Sequence, residues 1–147
     1  MRIFEFEKHF KDPKNLEKAL IELEADFNKV DYYAGLMKNN ITDNAEEAKK
    51  ALDDLTGVYM LLKTALAIAE TWKKNLEIRK YDTLRIAVGQ TEKKFVSTTA
   101  EKEASAFVAD YRRVRNIISA YVNSCQVAIS TLQSILKAIT EEMKLQK

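Results

Sequence analysis

The sequence predicts an all-α protein, and three observations carry that prediction. Apolar residues recur at alternating steps of three and four from Ala104 to Ile139, through Phe107, Tyr111, Val114, Ile118, Tyr121, Cys125, Ala128, Leu132 and Ile135. That spacing holds side chains on one face of a helix at about 3.5 residues per turn, the period of a coiled-coil seam. Two earlier runs repeat it: Leu16, Leu20, Leu23, Phe27, Val30, Ala34, Met37, and Ala48, Leu52, Leu55, Tyr59, Leu62, Leu66, Ala69. Helix breakers are also scarce, with three Gly and one Pro in 147 residues, which favours long helices over many short elements.

The last seam would span about 54 Å as a helix, against a diameter of about 40 Å for a compact domain of this length. The expected architecture is therefore an elongated antiparallel bundle of three long helices, one helical domain over residues 1–147. The single cysteine, Cys125, excludes an internal disulfide framework and a Cys-only zinc site, and suits a reducing compartment.

Residues 1–11 alternate aromatics with charges, Phe4, Phe6, His9 and Phe10. They read as a short strand or as a turn that tucks its rings over the core. Asp12-Pro13 marks the first helix start, because Asp caps well and Pro at the first helical position loses no needed donor. Gly35 and Asn39-Asn40 put its end near residue 38. Thr42-Asp43-Asn44 offers caps for the second helix, with Asp43 and Glu46 in capping-box spacing. A second stripe, Val58, Leu61, Ala65, Ile68 and Trp72, widens its apolar arc. Gly57 costs about 1 kcal/mol against Ala inside a helix, and a close helix crossing is the expected reason for it.

Residues 81–98 support two readings equally. Leu84, Ile86 and Val88 alternate, Gly89-Gln90-Thr91 is turn-like and Lys94-Phe95-Val96-Ser97 can return, giving a small β-hairpin around 83–97. Alternatively, the second helix runs to about Val88 and a loop follows. Thr98-Thr99-Ala100-Glu101 then offers a capping box for the third helix.

Catalytic motifs are missing. His9 is the one histidine, and no HExxH pair, phosphate-binding Gly loop or Cys/His nucleophile pair occurs. Cys125 on the seam reads as a buried, inert thiol. The acids Glu46, Glu47, Asp53 and Asp54 suggest a metal cluster of the kind in all-helical nucleotide pyrophosphohydrolases. However, Lys50 stands in the place of the second acid and no later acidic motif follows; acids near a helix start are explained by the dipole. A non-enzymatic protein with no metal and no cofactor is expected.

Charge is partitioned along the chain. The net formal charge is +2, but residues 1–70 carry −4, residues 71–115 carry +5 and residues 116–147 carry +1. The basic middle holds Lys73, Lys74, Arg79, Lys80, Arg85, Lys93, Lys94, Arg112, Arg113 and Arg115, interleaved with Trp72, Tyr81, Phe95 and Tyr111. Cations that follow phosphates beside rings that stack bases are what single-strand binding needs. The bland reading is a solvated face with cations at a helix C-terminus.

From Asn116 to Leu136 there is no Lys, Arg, Asp or Glu. Nine Asn, Ser, Thr and Gln residues there argue against a membrane span. They suit a surface buried against another chain. Val122, Gln126, Ile129, Gln133 and Leu136 are the expected homo-oligomer interface.

A capped, lysine-bearing helix leads through a basic, turn-containing segment to Ser97-Thr98-Thr99-Ala100, then to a long final helix with a mid-helix cysteine and a polar tail. In this order of features, over residues 45–145, the chain resembles the small helical recombination mediators of phages, the UvsY type. The Tyr-rich segment usual in that family is represented here by Tyr81 alone. The resemblance implies an oligomeric phage protein of the host cytoplasm that binds single-stranded DNA. It further implies loading of a recombinase onto strands coated by a single-strand binding protein, with Lys73, Lys74, Arg79, Lys80, Arg85, Lys93 and Lys94 as phosphate contacts. The first residues, Met1-Arg2-Ile3-Phe4-Glu5, lack the apolar run of a signal peptide, which agrees with a cytoplasmic location. The alternative expectation is a helical protein–protein interaction module, a phage inhibitor or structural adaptor that masks a partner.

Overall fold

The computed structural model describes residues 2–39 and 44–146. The described residues form six α-helices and two 3₁₀ turns, with no strand among them. The helices are α1 (Ile3–Lys8), α2 (Leu16–Glu22), α3 (Glu24–Lys38), α4 (Ala45–Gly89), α5 (Ser97–Phe107) and α6 (Ala109–Leu145). The 3₁₀ turns, His9–Lys11 and Pro13–Asn15, join α1 to α2. The all-α expectation holds. None of the helices is long and apolar enough to cross a membrane.

The helix ends follow local chemistry. Asp12 accepts a hydrogen bond from the Lys14 N–H at 3.0 Å, with Pro13 next to it. The Asn44 side chain accepts from the N–H groups of Glu46 and Glu47 at 3.1 and 3.2 Å, satisfying two donors at the start of α4. The Asn39 N–H closes α3 onto the Leu36 carbonyl. Asn40, Thr42 and the Asp43 capping box lie outside the described residues.

Four expectations are corrected. Residues 83–89 are the last turns of α4 rather than a hairpin; Leu84 and Val88, four apart, fit a helix face as well as they fit a strand. The expected three long helices become six because the first and third runs are each interrupted once and the N-terminal segment adds the short α1. Leu23 separates α2 from α3, and Val108 separates α5 from α6. Both residues are fully buried, and neither break holds Pro or Gly. The Thr98 capping box does not form: α5 begins at Ser97, capped by Val96 without a side-chain bond. Finally, a Cβ built on Gly57 meets nothing within 4 Å, so no close crossing explains that glycine.

The chain divides into two compact units, Met1–Ile21 with Ala65–Ile117, and Glu22–Thr64 with Ile118–Lys147. In the first unit, Phe6 and Phe10 are fully buried and meet edge to face at 5.2 Å. The Tyr111 hydroxyl donates to the Phe10 carbonyl at 2.8 Å, and Trp72 Nε1 donates to Glu7 Oε1 at 3.1 Å. The N-terminal segment thus covers the core with Phe6 and Phe10, through helical turns rather than a strand, while Phe4 is exposed. Along α4 and α5–α6, contacts advance in opposite senses: Glu70 approaches Arg115, and Lys80 sits over Phe107. Leu84 and Val88 then share a cavity with Val96 and Ala100. These two stretches therefore run antiparallel.

In the second unit, Phe27 stacks on Tyr121 with centroids 4.1 Å apart, and the Tyr121 hydroxyl donates to Asp31 at 3.1 Å. The Tyr33 hydroxyl donates to Asp54. Burial, then the Asp54 hydrogen bond and charge, push the Tyr33 phenol up to about 12. Leu23, Leu55, Leu62, Ile118, Cys125 and Leu132 are among its fully buried side chains.

Candidate nucleic-acid interface

All ten candidate contact cations belong to the first unit, as does Lys102, the eleventh Lys/Arg of residues 71–115. Five stand on the second half of α4, two in the segment between α4 and α5, and three on α6. The antiparallel pairing of α4 with α5–α6 brings the α6 cations opposite the α4 stretch around Glu70, while Lys93 and Lys94 follow the far end of α4.

The ten are not equivalent. Lys73 pairs with Glu77 one turn on, at 3.1 Å. Arg85 lies 3.6 Å from Asp82. Arg112 donates to the Ser105 carbonyl and hydroxyl at 3.0 and 2.6 Å. Arg113 pairs with Glu17 of α2. Arg115 donates to Asn116 at 2.8 Å, and its buried Nε is 3.6 Å from Glu70 without a hydrogen bond. Lys80 sits over the Phe107 ring, 5.1 Å from its centroid. Lys74, Arg79, Lys93 and Lys94 are left, and none of them forms an ion pair among the described residues. Exposed pairs such as Arg113–Glu17 contribute under about 1 kcal/mol, so an incoming phosphate can compete for them. The four without pairs face no such competition.

The interleaved aromatics are mostly committed to the protein itself. Trp72 is half-buried and bonded to Glu7, and Tyr111 is buried against Phe10. Tyr81 and Phe95 meet edge to face at 5.8 Å. Phe95 also lines a cavity of about 180 Å³ with Leu84, Val88, Val96, Lys93 and Lys94. The spacing missed one residue. Phe107, expected on the seam, is 56% exposed, and Val108 takes the buried position. The break between α5 and α6 falls at Val108, and no residue type announces it.

The expected oligomer interface needs one correction. Val122 is buried in the chain's own core, because the α6 seam runs through Tyr111, Val114, Ile118, Val122 and Cys125. Gln126 and Gln133 are exposed, and Ile129 and Leu136 are half-buried. On this uncharged stretch the hydroxyls of Thr131 and Ser134, and that of Thr140 beyond it, donate to carbonyls one turn back, at 2.8 to 3.1 Å.

The acidic residues of α4 have local roles. Glu46 and Glu47 stand at its start, where the dipole favours acids. Asp54 accepts from Tyr33. Among the described residues no group of three or more His, Cys, Asp or Glu could hold a metal ion. Cys125 is buried, and burial, with the nearby Asp26 charge, pushes its thiol up to about 11. No family model, curated protein or solved structure matches the chain.

Proposed function

We propose that this chain is a non-enzymatic, oligomeric, single-stranded nucleic-acid-associated protein of the recombination-mediator kind, phage-encoded and working in the host cytoplasm. The observation that carries this reading is the set Lys74, Arg79, Lys93 and Lys94, which form no ion pairs among the described residues and stand on the second half of α4 and the segment after it. Unpaired cations release counterions when they meet phosphates and give up no internal partner in doing so. The remaining cations of the basic middle add charge to the same unit. The build this reading calls for is an elongated antiparallel arrangement of three long helical runs.

Self-association in this reading uses Gln126, Ile129, Gln133 and Leu136. The Thr131 and Ser134 hydroxyls already bond to their own helix, so covering these two strands neither donor. A recombinase is the expected protein partner.

Fluorescence anisotropy with a labelled single-stranded oligonucleotide, at low and at raised salt, tests the reading. Binding that weakens steeply with salt supports it; no binding at low salt, or binding indifferent to salt, sinks it. Light scattering gives the native mass, with an oligomer expected.

A second reading, a helical interaction module that masks a protein partner, is favoured by exposed apolar side chains in the first unit. Phe4 is 80% exposed, and Ile3, Ile78, Ile86 and Val96 are about half exposed or more. A strictly monomeric chain that ignores oligonucleotides would favour it.

A further inference from the structure

We propose that Phe107 is a stacking platform for one base of a single strand, and that it gives the basic face a preference for unpaired over duplex nucleic acid. The proposal rests on the nucleic-acid reading above and names how that same site recognises its ligand.

The first observation is that the fold turns this ring outward. Heptad spacing would bury Phe107 between Ala104 and Tyr111, which are both buried. At the interruption, Val108, with φ −100° and ψ 16°, is fully inside and Phe107 is more than half exposed. The second observation is its company. The Lys80 ammonium lies 5.1 Å from the ring centroid, a cation–π contact in which the charge sits against one face of the ring. A base can then stack on the face that Lys80 leaves, and the ammonium remains available to a phosphate. A ring and a cation side by side are the minimal unit of sequence-tolerant single-strand binding.

The third observation is elimination. Trp72, Tyr81, Phe95 and Tyr111 are held by partners within the protein. Of the rings beside basic residues on α4, α5 and α6, Phe107 is the exposed one. Selectivity follows from the geometry of the ligand. In a duplex each base face is covered by its neighbours, so only an unpaired base has a face to offer.

The test compares the wild type, Phe107→Leu and Phe107→Tyr by anisotropy on three labelled probes of equal length. These are a single strand, the same sugar–phosphate chain without bases, and a duplex; circular dichroism checks that helicity is unchanged. The wild type should prefer the base-bearing strand to the other two probes. Phe107→Leu should lose about fivefold to a hundredfold on that strand alone, keep its salt slope, and bind the baseless chain as before. Phe107→Tyr should recover the loss. Equal binding of the base-bearing strand by Phe107→Leu and wild type overturns the stacking role while leaving the nucleic-acid reading intact. Absence of salt-sensitive binding by the wild type removes that reading, and the stacking role with it.

Discussion

The two halves of α4 are built differently. From Ala48 to Ala69 its buried residues are Ala48, Ala51, Leu55, Val58, Leu62, Ala65 and Ala69, at strictly alternating steps of three and four. From Glu70 to Gly89 no residue of the helix is fully buried. Charge follows the same division: residues 45–69 hold three Lys against four acids, and residues 70–89 hold five Lys/Arg against three. Helices in proteins take most of their stability from a packed apolar face. The first half meets that requirement throughout, and the second half does so only partly. What the second half offers in exchange is basic surface on which Lys74 and Arg79 form no ion pair among the described residues. A helix that continues past its seam, and turns basic where it does so, is where binding to an outside partner interferes least with folding.

The largest expected effect follows from burial. Leu62→Ala removes a fully buried side chain and should cost about 2–5 kcal/mol. Ile78→Ala, at a half-exposed position, should cost about 1 kcal/mol or less. Urea denaturation of both variants measures the contrast, and equal losses would break the comparison between the two halves.

Gly57 sharpens it in the other direction. It lies within the seam-bearing half but on an outward face, with open space where a Cβ would stand. Gly57→Ala should therefore stabilise the protein by about 1 kcal/mol through helix propensity alone. A loss of stability on thermal or urea melting would mean that the position is crowded.

A smaller effect, read at high pH, belongs to the second unit. Cys125 is raised from 9.0 to about 11 and Tyr33 from 10.0 to about 12, each by burial first. In the alkaline range the folded chain keeps protons that the unfolded chain has released. Stability is therefore complete below about pH 9 and falls as pH rises from there towards 12. Denaturation midpoints at successive alkaline pH values check this. Cys125 should also resist alkylation until the protein unfolds. Rapid labelling of the native protein near neutral pH would contradict its burial.

Much of the fold is legible in the sequence, because caps and heptads are local. Asp12-Pro13 starts the first helical run, Asn44 caps α4, and α3 ends at Lys38 beside the Asn pair. The extension of α4 through residue 89 is not decided locally, since Leu84, Ile86 and Val88 satisfy a period of two and Leu84 and Val88 a step of four. The breaks at Leu23 and Val108 are invisible, as ordinary apolar seam residues occupy both. Phe107 lies exposed beside one break, and Val122 rather than Tyr121 takes the buried position on α6. In the candidate site the cations are legible by type, but their engagement is not. Glu17 with Arg113, and Glu70 with Arg115, are paired by tertiary structure between residues far apart in the chain.

The most direct measurement of the central claim is the slope of log affinity against log salt for a single-stranded oligonucleotide. Four phosphate contacts by Lys74, Arg79, Lys93 and Lys94 give a slope of about −3, and all ten candidate contact cations would give about −7. Changing those four together to Gln should reduce the steepness of the slope by about 3 while urea stability stays near that of the wild type. A wild-type slope near zero, or a slope unchanged in the fourfold variant, would contradict the account.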